Sequence, residues 1–379
     1  MLYTRPDYYK EFTCTAEQCE DTCCAGWQIV IDSASMKKYR GEKSAYKKKL
    51  HHSIHWLQKT FKQDKEKRCA FLTEENLCDM YLNLGEKSLC RTCRQYPRHM
   101  EEFENVREAS LSLSCPEVAK LLLSRKEKVK FQYRETEEEE EWDDFSPFLY
   151  SQLVDARELM IELLQNRKLP IENRIVLCLG MAYDMQNRID ADELFGCGDV
   201  IENYRKQAYF SSAGRKVDRY RKNIKAQYQF AHRVIEDLYQ LELLKEEWDM
   251  LLQEAQVRLF GKGEDVYAEI MDEFSEWIQT AYQWDWNIQC EQLMVYFIYT
   301  YFCGAVYDER ILVNAEMAVA AVSVIWNLMA ATWLKNEKQL DLEDVCSMAY
   351  RYSRELEHSD ENLKRYWNIL DEEKLLFRW

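Results

Sequence analysis

The sequence predicts a mainly α-helical protein whose N-terminal part is a cysteine-rich, metal-binding module of short irregular elements. Three observations carry that expectation. Only ten glycines and five prolines interrupt 379 residues, of which 47% are hydrophobic and 31% charged, a balance that favours long helices over turn-rich sheets. Apolar residues in the second half recur at three- and four-residue steps, the period of a helix with one buried face. Nine of the fourteen cysteines are bunched in the first third of the chain, which packing alone does not produce.

A chain of 379 residues exceeds the size at which one core keeps growing, so two domains are expected. Residues 1–132 form the cysteine-rich module, 133–147 an acidic linker and 148–379 the α-helical domain. In the module, short apolar runs such as Trp27-Gln28-Ile29-Val30-Ile31 alternate with a lysine-rich helical stretch from Met36 to Lys49. The run from Arg134 to Asp144 holds eight acidic residues and ends just before Ser146-Pro147. Like charges so close stay solvated, so it reads as a linker or exposed helix start, with a docking strip for a basic substrate as the secondary reading. Beyond it, Leu153, Leu159, Met160, Leu163 and Leu164 form one helical stripe, and Ile171, Ile175, Val176 and Leu179 the next. Leu293 to Val306 and Met317 to Leu334 are strongly apolar. The first falls short of the roughly 20 residues that span a bilayer, and the second carries Ser323, Asn327 and Thr332, so helices buried against each other are expected, not membrane insertion.

The net charge of −16 divides unevenly, about +5 over residues 1–130 and about −21 over the remainder. It argues against nucleic-acid binding, which needs a basic surface to displace counterions, and suits a partner that presents lysines. The opening Met-Leu-Tyr-Thr-Arg-Pro-Asp-Tyr-Tyr-Lys lacks the basic start, apolar stretch and cleavage site of a secretory precursor, so a cytoplasmic setting is expected. There thiols stay reduced, and clustered cysteines more often hold metal than cross-link.

The groups are Cys14-x4-Cys19-x3-Cys23-Cys24, then Cys69 and Cys78, then Cys90-x2-Cys93, then Cys115. Cys90-Arg91-Thr92-Cys93 offers two thiolates from one turn. Adjacent Cys23 and Cys24 can rarely aim at one metal atom, and a multi-iron cluster or two sites would relax that demand. Zinc would accept any four of the nine cysteines, and an iron–sulfur cluster also takes four. Arg68, Arg91, Arg94 and Arg98 stand beside cysteines, where cations would lower thiolate pKa and offset cluster charge. Their other reading is ordinary surface arginine. His99 is a weaker candidate ligand, expected at the surface or hydrogen-bonded, and His51, His52 and His55 are expected to be solvated.

The residues carry a resemblance. The segments Cys14-x4-Cys19-Glu20-Asp21-Thr22-Cys23-Cys24-Ala25-Gly26-Trp27, Cys90-Arg91-Thr92-Cys93-Arg94-Gln95-Tyr96-Pro97-Arg98 and Ser112-Leu113-Ser114-Cys115-Pro116, with Cys69 and Cys78, resemble the flagellin lysine N-methylases. These sit within a wider group of zinc- or iron-chelating cysteine-cluster proteins. The resemblance extends to Glu291 through Asp308 and to Tyr352 through Leu363. It implies methyl transfer from S-adenosylmethionine to surface lysine ε-amines of flagellin in a bacterial cytoplasm. It also implies a [4Fe–4S] cluster whose ligands come from Cys14, Cys19, Cys23, Cys24, Cys69, Cys78, Cys90, Cys93 and Cys115. Cys19, Cys23, Cys90 and Cys93 are preferred, then Cys24, Cys78 and Cys115.

The sequence also departs from familiar methyltransferase patterns. It has no Gly-x-Gly-x-x-Gly after a strand and no Cys-x3-Cys-x2-Cys. Direct transfer needs a neutral lysine amine, supplied by desolvation or a base. Tyr8, Tyr9, Tyr81, Tyr96, Glu20 and Asp21 are candidates, each with a structural role as the stronger reading. The alternative function is a noncatalytic zinc- or iron-binding adaptor, and a redox dithiol at Cys90 and Cys93 ranks last.

Overall fold

The computed structural model describes residues 1–138 and 145–373. Helices dominate it. The N-terminal part holds β1 (Leu2–Pro6), α1 (Ser33–Arg40), α2 (Lys47–His52), β2 (Ile54–His55), β3 (Thr60–Phe61), α3 (Asp79–Leu84) and α4 (Arg91–Gln95). It continues through β4 (Arg98–Phe103), β5 (Val106–Leu111), α5 (Pro116–Leu123) and β6 (Phe131–Glu135). Then come α6 (Pro147–Leu164), α7 (Ile171–Asp190), α8 (Cys197–Asn203), α9 (Gln207–Arg221), α10 (Ile224–Glu236) and α11 (Glu246–Ala255). The chain closes with α12 (Glu264–Thr280), α13 (Trp286–Tyr301), α14 (Ile311–Lys335), α15 (Leu342–Glu357) and α16 (Asp360–Glu373).

Two hydrophobic cores organise these elements. A small one joins Ile29, Ile31, Met36, Tyr39, Leu50, Ile54, Phe61, Phe71 and Met80 with Cys69 and Cys90. A large one runs from the sheet and α5 through the whole helical body. α14 is its axis, packed on α7, α10, α11, α13, α15 and α16. That position explains an apolar helix of 25 residues, long enough to cross a membrane, whose most apolar window is 78% buried. The stretch Leu293 to Val306 becomes the C-terminal half of α13 and a 3₁₀ turn, Phe302–Val306. The stripes expected on α6 and α7 face the core, although Ile175 is only half-buried.

Local chemistry sets the helix ends. Ser146 accepts from Leu149 N at 3.2 Å with Pro147 behind it, and Asp341 and Asp344 form a reciprocal capping box on α15. Buried charge is paired. Glu291, fully buried on α13, receives Arg174 Nη1 at 2.9 Å and Arg167 Nη2 at 2.8 Å.

The four-stranded sheet, ordered β4-β5-β1-β6, was not anticipated in the sequence. β1 lies parallel to β5 and antiparallel to β6, so each partner is more than 100 residues away. Residues 133–135 therefore belong to a strand, and residues 139–144 of the acidic run lie outside the described residues.

One buried carboxyl gives this fold a pH signature. Burial pushes Glu355 up to about 7, although it accepts from Leu244 N and Lys245 N at 2.8 and 3.0 Å. The unfolded chain releases this proton near pH 4.5 and the folded chain near 7, so the group costs stability as pH rises through that window. Glu355→Gln is expected to shift the unfolding free energy, relative to the unsubstituted chain, by about 2 to 3 kcal/mol in the variant's favour between pH 5 and pH 8. Urea unfolding at the two pH values measures the shift.

Candidate functional site

The cysteine segments converge through backbone pairing. Cys69 N donates to Cys24 O at 2.8 Å, Ala25 bridges Arg68, and Leu72 bridges Cys78. Thr92 Oγ1 donates to Val30 O at 2.9 Å and Arg91 N to Asp32 Oδ2 at 2.8 Å, which ties the Cys90 turn to the same scaffold. Gly26 is required here. Its φ is +91°, and a Cβ would sit 2.9 Å from the Lys245 side chain where the helical body crosses it.

The thiols consequently feel one another. Cys93 hydrogen-bonds Cys90, which lowers the Cys90 thiol and raises its own. Cys23 is raised by its hydrogen bond to Cys24 and by burial. Burial pushes Cys69 and Cys115 up to about 12 and also raises Cys19 and Cys78, and neighbouring thiols add to each of these shifts. Cys14 is exposed at the margin, where Ala16 N approaches its Sγ at 3.4 Å. These thiols are a soft, largely desolvated donor set, the chemistry a thiophilic metal or cluster selects. Among the described residues, no group of three or more His, Cys, Asp or Glu side chains stands ready to hold a single metal ion. The sulfurs are gathered without being closed around one point.

His99 hydrogen-bonds Glu101 at 2.6 Å, and His52 and His55 are exposed as expected. His51 is half-buried instead of solvated, edge-on to Trp56 at 4.9 Å. Of the arginines beside cysteines, Arg68 bonds Thr73 O and Asn76, and Arg98 covers Phe12. The cation that acts on Cys19 and Cys23 is Arg354, from the far end of the chain.

Arg354 opens a second part of the site that the residue types alone did not reveal. It is 2% exposed on α15, donates to Ser114 O at 3.0 and 3.2 Å and to Asp21 O at 3.2 Å, and pairs with Asp21 Oδ2 at 2.7 Å. Lys245 reaches the other Asp21 oxygen. Asp21 is thus a buried structural anchor, whereas Glu20 is exposed. One turn on, Glu357 accepts from Tyr296 OH at 2.7 Å, from Ser112 Oγ and from Tyr301. Leu113 N donates to the same Tyr296 oxygen at 2.9 Å.

His358 completes the seam. Its Nε2 meets Ser114 Oγ at 3.0 Å, and its ring stacks on Trp27 with centroids 4.4 Å apart. Tyr96 stands edge-on at 5.6 Å and reaches Ser114 Oγ at 3.1 Å. Burial, then the charges of Arg354 and Lys245, hold the imidazole well below its ordinary range, so it is neutral at pH 7. Its buried Nδ1 has no hydrogen-bond partner among the described residues. Of the tyrosines singled out in the sequence, Tyr96 lies in this seam, Tyr8 is buried in the large core and Tyr81 is exposed.

Fold and site therefore define a helical protein with a thiol-rich lobe, joined through a polar, aromatic seam to its C-terminal body. Residues 157–378 match the FliB lysine N-methylase C-terminal domain, and the chain belongs to that family. It is 34% identical over 132 residues to the flagellar biosynthetic protein FliU of Salmonella muenchen, covering 33% of this chain and 78% of the relative. Lysine-N-methylases of Salmonella choleraesuis and Salmonella typhimurium are 34% and 32% identical over 132 and 133 residues. Those matches cover 33% of this chain and 33% of each relative, so the chain matches one third of their length. No solved structure matches.

Proposed function

We propose that the chain is a protein-lysine N-methyltransferase that carries methyl groups from S-adenosylmethionine to lysine ε-amines of flagellin, in the cytoplasm before export. The observation that carries this reading is the seam itself. Ser112 and Ser114, beside the last cysteine of the N-terminal group, meet Arg354, Glu357 and His358 within hydrogen-bond distance although 240 residues or more separate them. The two stretches that resemble lysine N-methylases thus pack against each other in one seam.

The chemistry fits the groups present. A lysine nitrogen attacks the methyl carbon of the sulfonium, the carbon–sulfur bond breaks to leave a neutral thioether, and the nitrogen loses a proton. Glu357, aligned by Tyr296, Tyr301 and Ser112, receives the ammonium and its proton. Trp27 and Tyr96 offer aromatic faces to a cation. The thiols of the lobe would hold the [4Fe–4S] cluster, which when bound compensates their charge and rigidifies the wall against which the seam is built.

Protein purified without air is incubated with flagellin and methyl-labelled S-adenosylmethionine. Label recovered as Nε-methyl-lysine supports the reading, and none from folded protein with its metal intact overturns it. Cys93→Ala is expected to lower metal content and the melting temperature together, because ligand binding energy is also folding energy. Iron, sulfide and zinc analysis beside a thermal melt measures both, and full occupancy with an unchanged melt removes Cys93 from the ligand set.

A further inference from the structure

A cavity of about 590 Å³ lies between the sheet and α6, away from the thiols. Leu2, Val106, Val154 and Ile161 give it apolar walls, and Phe131, Tyr133, Tyr150 and Tyr299 give it aromatic ones. Phe131 and Tyr299 pack with centroids 4.4 Å apart, and Tyr133 is 61% exposed at the opening. Glu108 and Arg157 meet as a buried, mutually neutralised pair in its floor. The rim carries Asp155, Glu158 and Glu162, which recur at three and four residues and so share one face of α6. Arg205 reaches Glu162 at 3.2 Å, which leaves the rim net negative. Tyr150 supplies an independent sign of a missing occupant: its buried hydroxyl has no hydrogen-bond partner among the described residues.

Apolar and aromatic walls below a carboxylate rim match a particular shape of ligand. It has a flexible hydrocarbon stem and a cationic head, as in an alkylammonium group. We infer that this cavity docks a lysine side chain of a protein partner, methylated or not, as a subsite separate from the seam. The inference rests on the proposed methyl-transfer reading for its partner, a lysine-bearing protein substrate. Geometry supports the pairing of sites. Glu108 in the floor lies on β5 and Ser112 in the seam follows that strand directly, four residues or about 13 Å further along the chain. An extended substrate segment reaches both.

The probes are Nα-acetyl-lysine methylamide, its Nε-trimethyl form and its neutral Nε-acetyl form, titrated against the full chain by ligand-observed NMR without methyl donor. Both cationic forms are expected to bind about fivefold more tightly than the neutral one. The exposed double substitution Asp155→Asn with Glu158→Gln is expected to erase that difference, and to raise KM for flagellin while leaving kcat unchanged. Equal binding of the neutral probe, or a double variant with unaltered binding, overturns the assignment. Retained, charge-dependent probe binding without any flagellin methylation would uphold the docking site and sink the methyl-transfer reading instead. Methylation with an unaltered KM in the double variant would do the reverse.

Discussion

Arg354→Ala is expected to cost about 3 to 5 kcal/mol of unfolding free energy, the largest single loss of stability anticipated in this protein. The side chain is 2% exposed and holds the Asp21 carboxylate and the carbonyl oxygens of Ser114 and Asp21. Truncation strands all three acceptors in a buried seam, and Lys245 alone then faces Asp21. Arg354→Lys is expected to recover only part of the loss, because an ammonium lacks the planar fork that serves three acceptors together. Urea unfolding of both variants measures the effect. A double-mutant cycle with Asp21→Asn isolates the pair, and additive losses would show that the two residues are not coupled.

Glu357→Gln is expected to lower kcat for methyl transfer about 100-fold while leaving the melting temperature close to that of the unsubstituted chain. The amide oxygen still accepts from Tyr296, so the architecture survives, but the group no longer takes a proton or neutralises an ammonium. Tyr296→Phe is expected to act differently. It leaves Leu113 N without its acceptor and costs about 1 kcal/mol, with a smaller loss of rate. Steady-state kinetics with flagellin and thermal melts separate the two behaviours. A Glu357→Gln enzyme with full kcat places proton handling elsewhere.

The helical body was legible because its periodicity is local. Leu153, Leu159, Met160, Leu163 and Leu164 all point into the large core of α6 as their spacing requires. The sheet was not, because β1 meets β5 and β6 across more than 100 residues, and β4 reads Arg-His-Met-Glu-Glu-Phe with most of its side chains exposed or half-buried. The cysteine grouping pointed to a metal-binding lobe, but spacing could not show that Cys14 is exposed or that Cys69, Cys90 and Cys115 are buried. The charged half of the seam was hidden for another reason. A buried Arg354 or a partly buried Glu357 has the same letter as a solvated one. The available signal was register: Cys346, Tyr350 and Arg354 recur at four residues along α15, and the first two are buried. An arginine continuing an apolar stripe needs a partner, and Asp21 is that partner.

On the proposed reading, a lysine meets the methyl donor in the seam between the thiol lobe and the helical body. A structure of the full chain with S-adenosylhomocysteine and a lysine-containing flagellin peptide tests it most directly. The expected result is a lysine Nζ hydrogen-bonded to Glu357, with its stem against Trp27 and Tyr96. Donor product and lysine found together at another surface, with Glu357 untouched, would contradict it.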